Sequence, residues 1–114
     1  MAVLLVVDDE RVVRRLICML LQTTGHRGVE AGNGLEAVLL YRAAPAKYDC
    51  VLTDLDMPVM NGFELIKLVQ ETTPLARIVC MSGSGERDLP EGIPFLRKPF
   101  TQEALCDVLR RVLS

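Results

Sequence analysis

Five side chains able to bind a cation or an anion stand at or directly after the ends of short apolar segments in this sequence. They are three carboxylates, a hydroxyl and an amine: Asp8, Asp9, Asp54, Ser82 and Lys98. Carboxylates held close together repel one another, by roughly 4 kcal/mol per pair at ~4 Å and an effective dielectric near 20. A site that gathers them needs a compensating cation, and ligation by oxygen alone suits Mg²⁺.

Asp54 is the member of this set that we expect to react. A carboxylate nucleophile can attack phosphorus and form an acyl phosphate, while Mg²⁺ and the compact ammonium of Lys98 offset the charge on the transferring oxygens. Ser82 would then donate a hydrogen bond to the new phosphoryl group. These residue types therefore predict a site that accepts a phosphoryl group.

Each of these residues also has a simpler interpretation. Asp9 has the residue type of a helix cap, Lys98 that of a solvated loop lysine and Ser82 that of a turn residue. Phe95, which opens the last apolar segment, has the residue type of a core side chain. Five coincidences at segment ends of one small protein are improbable, so the set taken together favours the functional interpretation.

The apolar segments have the composition of buried strands. Ala2 to Val7 is a continuous run rich in Val and Leu, which is typical of a strand covered on both faces of a parallel sheet. Four later segments have a related pattern, the first of them more weakly: His26 to Ala31, Asp49 to Asp54, Ala76 to Met81 and Phe95 to Arg97. The sequence therefore predicts five strands.

Helix patterns alternate with these strands. The first helix has apolar residues at the i, i+3, i+4, i+7 spacing of an amphipathic helix: Val13, Leu16, Ile17 and Leu20. Further helices are predicted to begin after the caps Asn33, Asn61 and Thr101, the first two followed by Glu at the capping-box spacing. This alternation predicts one α/β domain over residues 1–114, with a doubly wound parallel sheet and helices on both faces.

The topology explains why the reactive set should converge. Ligands of open parallel sheets bind outside the carboxyl ends of the strands, and the five residues stand at those ends. We therefore expect the three carboxylates, the hydroxyl and the amine to meet at one edge of the sheet.

Composition excludes several other classes of function. At 114 residues, 50% of them hydrophobic, the chain is long enough for one core. A formal net charge of −2 argues against direct binding of nucleic acid. The four cysteines are far apart and there is a single histidine, so we expect reduced thiols and no thiolate metal site. No apolar run has the length of a membrane span, and we expect a soluble, cytoplasmic domain.

The motifs resemble those of a known family. Val7-Asp8-Asp9-Glu10, Thr53-Asp54-Leu55-Asp56-Met57-Pro58 with Asn61-Gly62, Ser82, and Phe95-Leu96-Arg97-Lys98-Pro99-Phe100 follow the order found in receiver domains of response regulators. The resemblance covers essentially the whole chain. It implies a flavodoxin-like strand order of 2-1-3-4-5, phosphorylation of Asp54 and contact of Lys98 with the phosphoryl group. It also implies Mg²⁺ bound by Asp8, Asp9, Asp54 and the backbone carbonyl of Asp56.

The same resemblance implies a mechanism of signalling. Ser82 and Phe95 match the family's switch pair, and the Lys98-Pro99 bond is usually cis. The phosphoryl donor would be a histidine kinase or a phosphotransfer domain in a phosphorelay. The domain would catalyse its own phosphotransfer and dephosphorylation rather than act as a turnover enzyme, and it would stand alone or form part of a hybrid kinase.

One segment departs from the family pattern. From Gly83 to Pro94 the sequence has three glycines and two prolines, and both residue types oppose helix propagation. We therefore expect the family's fourth helix, between the last two strands, to be shortened or missing. For the same reason, we do not expect this domain to form the common receiver dimer. Asp56 and Ser84 match positions that tune phosphoryl lifetime in the family.

Two other functions remain as alternatives. The form of Asp54-Leu55-Asp56 resembles the Asp-x-Asp motif of haloacid dehalogenase phosphohydrolases, although that motif follows the first strand of those enzymes and not the third. A protein-binding module of the same fold that works without phosphorylation is the other alternative. A nucleotide-binding domain is disfavoured, because Asp8-Asp9-Glu10 stands where a phosphate-binding turn would need glycines.

Overall fold

The computed structural model describes residues 1–84 and 91–114. Its strands are β1 Val3–Val7, β2 Arg27–Ala31, β3 Cys50–Asp54, β4 Ile78–Ser82 and β5 Phe95–Arg97. Its α-helices are α1 Arg11–Thr23, α2 Gly34–Ala43, α3 Gly62–Thr72 and α4 Gln102–Leu113, and a 3-10 turn spans Pro45–Lys47. From β1 to β4 strand and helix alternate as the sequence predicts.

The five strands form one parallel sheet in the order β2-β1-β3-β4-β5. This confirms the predicted fold class and the order 2-1-3-4-5. β3 and β4 are buried along their whole length, as expected of strands covered on both faces.

The core has two layers, one on each face of the sheet. Because successive strand residues point to opposite faces, Leu5 and Val7 pack with α2 and α3, whereas Leu4 and Val6 pack with α1 and α4. Burial of both faces fixes the direction in which every strand end points, since a shift of one residue would exchange the two core faces.

The helix starts follow the predicted caps. Asn61 and Glu64 form a complete capping box, in which each side chain accepts a hydrogen bond from the other residue's backbone N–H. Asn33 accepts from the Glu36 backbone N–H, and Thr101 accepts from that of Ala104. The chain thus enters α3 from the loop after Asp54 in a fixed direction.

The predicted stripe of α1 is partly wrong. Leu16 is 54% exposed, whereas Ile17 and Leu21 are buried against the sheet. The apolar arc of α1 is wider than the strip that the sheet covers, so one edge of it stays at the surface. That edge consists of Val12, Leu16 and Met19.

The connection from β4 to β5 is described at its two ends. Gly83 and Ser84 form bends, and Glu91 and Gly92 form a turn, so none of the described residues there is helical. Residues 85–90 lie outside the described part of the chain, and the prediction of a shortened or missing helix depends partly on them. Within residues 1–84 and 91–114, no helix is long and apolar enough to cross a membrane.

Candidate functional site

The carboxyl ends of four strands bring the predicted residues to one edge of the sheet. Asp8 directly follows β1, Asp54 ends β3, Ser82 ends β4 and Lys98 directly follows β5. The strand β4 ends one residue later than the sequence predicts, and Ser82 accepts a backbone hydrogen bond from the Lys98 N–H at 2.9 Å. Asp8, Asp54 and Ser82 are all buried.

Asp8, Asp9 and Asp54 form an acidic cluster. Each offers one carboxylate oxygen, and these oxygens lie within 4.8 Å of one another. Asp8 and Asp54 are buried and Asp9 is exposed, so the cluster opens to solvent on the Asp9 side. A set of carboxylate oxygens that is open on one side fits Mg²⁺, which binds through few protein ligands and keeps several waters.

Lys98 supplies the positive charge of the site. Its Nζ lies 2.6 Å from Asp8 Oδ2 and 3.5 Å from Asp54 Oδ1. Burial alone lowers the pKa of Lys98, but the hydrogen bond to Asp8 and the negative charges of Asp54 and Asp8 outweigh it and raise that pKa. Lys98 is therefore a fixed cation between the two buried carboxylates.

The Asp54 carboxyl is held in an unfavourable environment for its charge. Burial and, to a smaller extent, the neighbouring Asp8 raise the pKa of Asp54 to about 6, against the opposing effect of Lys98. A hydrogen bond from the Asp56 backbone N–H acts in the other direction. Asp54 is thus mainly a carboxylate at neutral pH, but a poorly solvated one whose charge an incoming cation or electrophile relieves.

Arg14, which the sequence analysis did not single out, holds the backbone of Asp8 and is itself held by Glu30. The Arg14 Nη1 donates to the Asp8 backbone carbonyl at 2.8 Å, and its Nε donates to Glu30 Oε1 at 2.9 Å. The Glu10 backbone N–H donates to Asp8 Oδ1. Arg14 and Glu30 lie on different elements and no local spacing links them, so only the pairing of β1 with β2 could have revealed the contact.

Ser82 lies in a small polar cluster with Asp56 and Ser84. Its Oγ donates to Asp56 Oδ2 at 2.6 Å and lies 2.9 Å from Ser84 Oγ. The Ser84 backbone N–H donates to Ser82 Oγ at 3.1 Å. The resemblance places Asp56 and Ser84 at positions that tune phosphoryl lifetime, but the contact of the Asp56 side chain with Ser82 was not predicted.

Phe95 shares a face of the sheet with Ser82. It pairs with Cys80, two residues before Ser82, and its ring packs partly buried against the core layer of α2 and α3. The Lys98-Pro99 peptide bond is cis, as the resemblance implies.

Gly62 allows α3 to approach the end of β3. A Cβ at this position would overlap the Asp54 carbonyl oxygen and would lie 2.8 Å from Leu55 Cα. The Gly62 N–H also donates to the Leu55 carbonyl at 3.2 Å. The start of α3 therefore fixes the backbone on which Asp54 stands.

Comparison with known proteins agrees with this geometry. The family model of the response regulator receiver domain matches residues 4–110. A chemotaxis protein CheY homolog of Campylobacter jejuni is 38% identical, over 97% of this chain and 92% of that protein. The sensor kinase/phosphatase LuxN of Vibrio campbellii is 41% identical over 96% of this chain, and the match spans only 13% of LuxN.

Solved structures of receiver domains superpose closely. A response regulator receiver domain protein from Clostridium thermocellum gives a TM-score of 0.93 at 27% identity, covering 99% of this chain and 94% of that one. Vibrio cholerae CheY4 gives a TM-score of 0.88 at 32% identity, covering 99% of both chains. The fold, the residues at the strand ends and these matches all agree. The chain therefore belongs to the receiver domain family of response regulators in two-component systems.

Proposed function

We propose that this domain, over residues 1–114, accepts a phosphoryl group on Asp54 from a phosphohistidine donor in a phosphorelay. The observation that supports this most strongly is the placement of Asp54, which is 4% exposed and lies 3.5 Å from the Lys98 ammonium. It also shares the acidic cluster with Asp8 and Asp9. Buried negative charge next to one fixed cation is a favourable starting point for attack on a phosphorus centre.

The chemistry follows from these positions. An Asp54 carboxylate oxygen forms a bond to phosphorus while the phosphorus–nitrogen bond to the donor imidazole breaks, which gives an acyl phosphate. Lys98 stabilises the charge on the transferring oxygens from its place between Asp8 and Asp54. Mg²⁺, held by Asp8, Asp9, Asp54 and the Asp56 backbone carbonyl, would offset the negative charge of the carboxylates and the phosphoryl group.

Ser82 and Phe95 are the proposed readout. Ser82 donates its hydroxyl proton to a phosphoryl oxygen on Asp54, and the Phe95 ring, which packs on the same face of the sheet, turns further inward. The domain then catalyses its own phosphorylation and dephosphorylation and acts as a signalling unit. The similarity to a part of the sensor kinase LuxN supports a place within a hybrid kinase, and the similarity to almost the whole length of the CheY homolog supports a stand-alone regulator.

The donor is proposed to dock beside α1. The exposed edge of that helix borders an apolar groove of about 680 Å³, lined by Val13, Leu16, Leu20, Pro99 and Phe100 among others and also bordered by Lys98. A helix of a histidine kinase or phosphotransfer domain that packs its apolar face here would present a histidine close to Asp54.

Incubation with acetyl phosphate tests this function. With Mg²⁺, intact-mass spectrometry should show a gain of one phosphoryl group that hydroxylamine removes and that Asp54→Asn abolishes. Asp107→Asn, a matched change at an exposed carboxylate on α4, should phosphorylate like the wild type. Multiple-turnover phosphate release from many phosphate esters would favour the hydrolase instead. An unmodified protein that still binds its partner would favour the binding module.

A further inference from the structure

The hydroxyl of Ser82 is fully committed in the structure. A hydroxyl has one proton to donate, and that of Ser82 goes to Asp56 Oδ2 at 2.6 Å. The oxygen in turn accepts the Ser84 backbone N–H at 3.1 Å and lies 2.9 Å from the Ser84 hydroxyl. Ser82 is 0% exposed, whereas Asp56 and Ser84 are exposed, so solvent reaches the partners of the Ser82 hydroxyl and not the hydroxyl itself.

We propose that the Asp56 carboxylate holds the Ser82 hydroxyl in the unphosphorylated state and competes for it with a phosphoryl group on Asp54. The proposal rests on the phosphoacceptor function proposed above. Ser82 cannot donate to both acceptors, because it has a single proton. Phosphorylation must therefore break the bond to Asp56, and Asp56 is a positioning residue that opposes the switch.

Charge gives the competition its direction. A phosphoryl group on Asp54 adds about one and a half to two negative charges at neutral pH and offers three strong acceptor oxygens. Asp56 is two residues away in sequence, and its carboxylate meets the same hydroxyl. The new charge attracts the Ser82 proton and repels the Asp56 carboxylate, so both effects release Ser82.

Release of Ser82 also reaches the chain that follows β4. The Ser84 backbone N–H donates to Ser82 Oγ, and the Ser84 hydroxyl lies 3.3 Å from Asp56 Oδ2. When Ser82 turns to the phosphoryl group, the acceptor of the Ser84 N–H moves with it. The bend at Gly83 and Ser84 must then rearrange.

A double-mutant cycle tests the competition. The apparent dissociation constant of beryllofluoride, a phosphoryl mimic, is measured at saturating Mg²⁺ for the wild type, Asp56→Ala, Ser82→Ala and the double variant. Asp56→Ala should bind about tenfold more tightly, since it frees a hydrogen bond to a charged group. In the Ser82→Ala background, the effect of Asp56→Ala should fall below about threefold, because no hydroxyl remains to be released.

A control variant and a second measurement separate the effect of Asp56 on Ser82 from a general effect of removing a carboxylate. Asp107→Ala removes an exposed carboxylate on α4 and should leave the dissociation constant unchanged. Without beryllofluoride, the Ser84 amide resonance of Asp56→Ala should lie closer to its position in the beryllofluoride-bound wild type. Thermal unfolding of each variant shows that it is folded.

Failure of the proposed competition and failure of the phosphoacceptor function give different results in these measurements. If the wild type binds beryllofluoride but Asp56→Ala binds no more tightly, the competition is refuted and the phosphoacceptor function stands. Equal tightening in both Ser82 backgrounds would show that Asp56 acts by charge alone, which also refutes it. If the wild type neither binds beryllofluoride nor takes a phosphoryl group, the proposed function and this inference both fail.

Discussion

The residue that determines the behaviour of the site is a buried acid whose surroundings oppose its charge. Burial and the Asp8 carboxylate raise the pKa of Asp54 to about 6, although Lys98 lies 3.5 Å away. The folded protein therefore binds a proton at Asp54 more tightly than the unfolded chain does, since an exposed Asp titrates near 3.8. Ionised Asp54 lowers the stability of the metal-free domain at neutral pH.

Asp54→Asn should stabilise the metal-free protein. At about pH 7.5, the free energy of unfolding should rise by about 1–3 kcal/mol, given 1.36 kcal/mol per pKa unit. The penalty is fully present above about pH 6, the folded pKa, and the gain should shrink to a small fraction as the pH falls towards about 4. Urea unfolding in a chelator at both pH values measures this. A gain that is absent at neutral pH, or unchanged in acid, would contradict it.

Val59 carries backbone strain in the loop after β3. Its φ is 69°, a region that β-branched residues rarely adopt, and its side chain is 93% exposed. Val59→Asn should raise the free energy of unfolding by about 1 kcal/mol, because Asn adopts this conformation at lower cost. Val12→Asn, at an exposed position with helical backbone, should change it by less than about 0.5 kcal/mol. Equal effects at the two positions would refute the strain.

At the scale of helices and strands, sequence periodicity predicts the order of the elements and the location of the site. Continuous apolar runs predict the central strands, and caps such as Asn61 predict the helix starts, because both depend on neighbouring residues alone. The orientation of α1 was partly wrong at Leu16, since its apolar arc exceeds what the sheet covers. The contacts of Asp56 with Ser82 and of Arg14 with Glu30 join distant segments, and no local spacing encodes them.

The close approach of α3 to β3 predicts that Gly62 tolerates no side chain. Gly62→Ala should lower the free energy of unfolding by about 1–3 kcal/mol, because the new Cβ overlaps the backbone at Asp54 and Leu55. Phosphorylation by acetyl phosphate should also slow, since the overlap displaces Asp54. Gly32→Ala is the control, as the nearest atom to its Cβ would be Arg14 Nη1 at 3.5 Å. Chemical denaturation of both variants measures these free energies of unfolding. An unchanged free energy of unfolding in Gly62→Ala would contradict the close packing of α3 against β3.

The exposed edge of α1 predicts a separation between protein donors and small donors. Leu16→Glu should slow transfer from a phosphohistidine protein about tenfold or more, because it places a charge in the apolar groove, and should leave the rate with acetyl phosphate unchanged. Leu39→Glu alters an exposed leucine on α2 and should affect neither rate. Parallel rate measurements with both donors are required. Equal slowing by the two substitutions would argue against docking at α1.

At the scale of the whole molecule, the site is a product of topology. No single segment carries the chemistry, since Asp8, Asp54, Ser82 and Lys98 come from four strands that run in the same direction. Covering the sheet on both faces fixes each strand end, so the fold determines the distances between these groups. We therefore propose that this edge of the sheet directs a phosphoryl group to Asp54 and to no other carboxylate of the domain.

The position of the phosphoryl group in the sequence can be measured. After reaction with acetyl phosphate and Mg²⁺, borohydride reduction converts a phosphorylated aspartate to homoserine, which peptide mass spectrometry can place in the sequence. We predict homoserine at position 54 alone, and none when Mg²⁺ is chelated. Homoserine at position 8, 9 or 56 with Asp54 unmodified, or no reduced residue in a folded protein, would contradict the proposed role of Asp54.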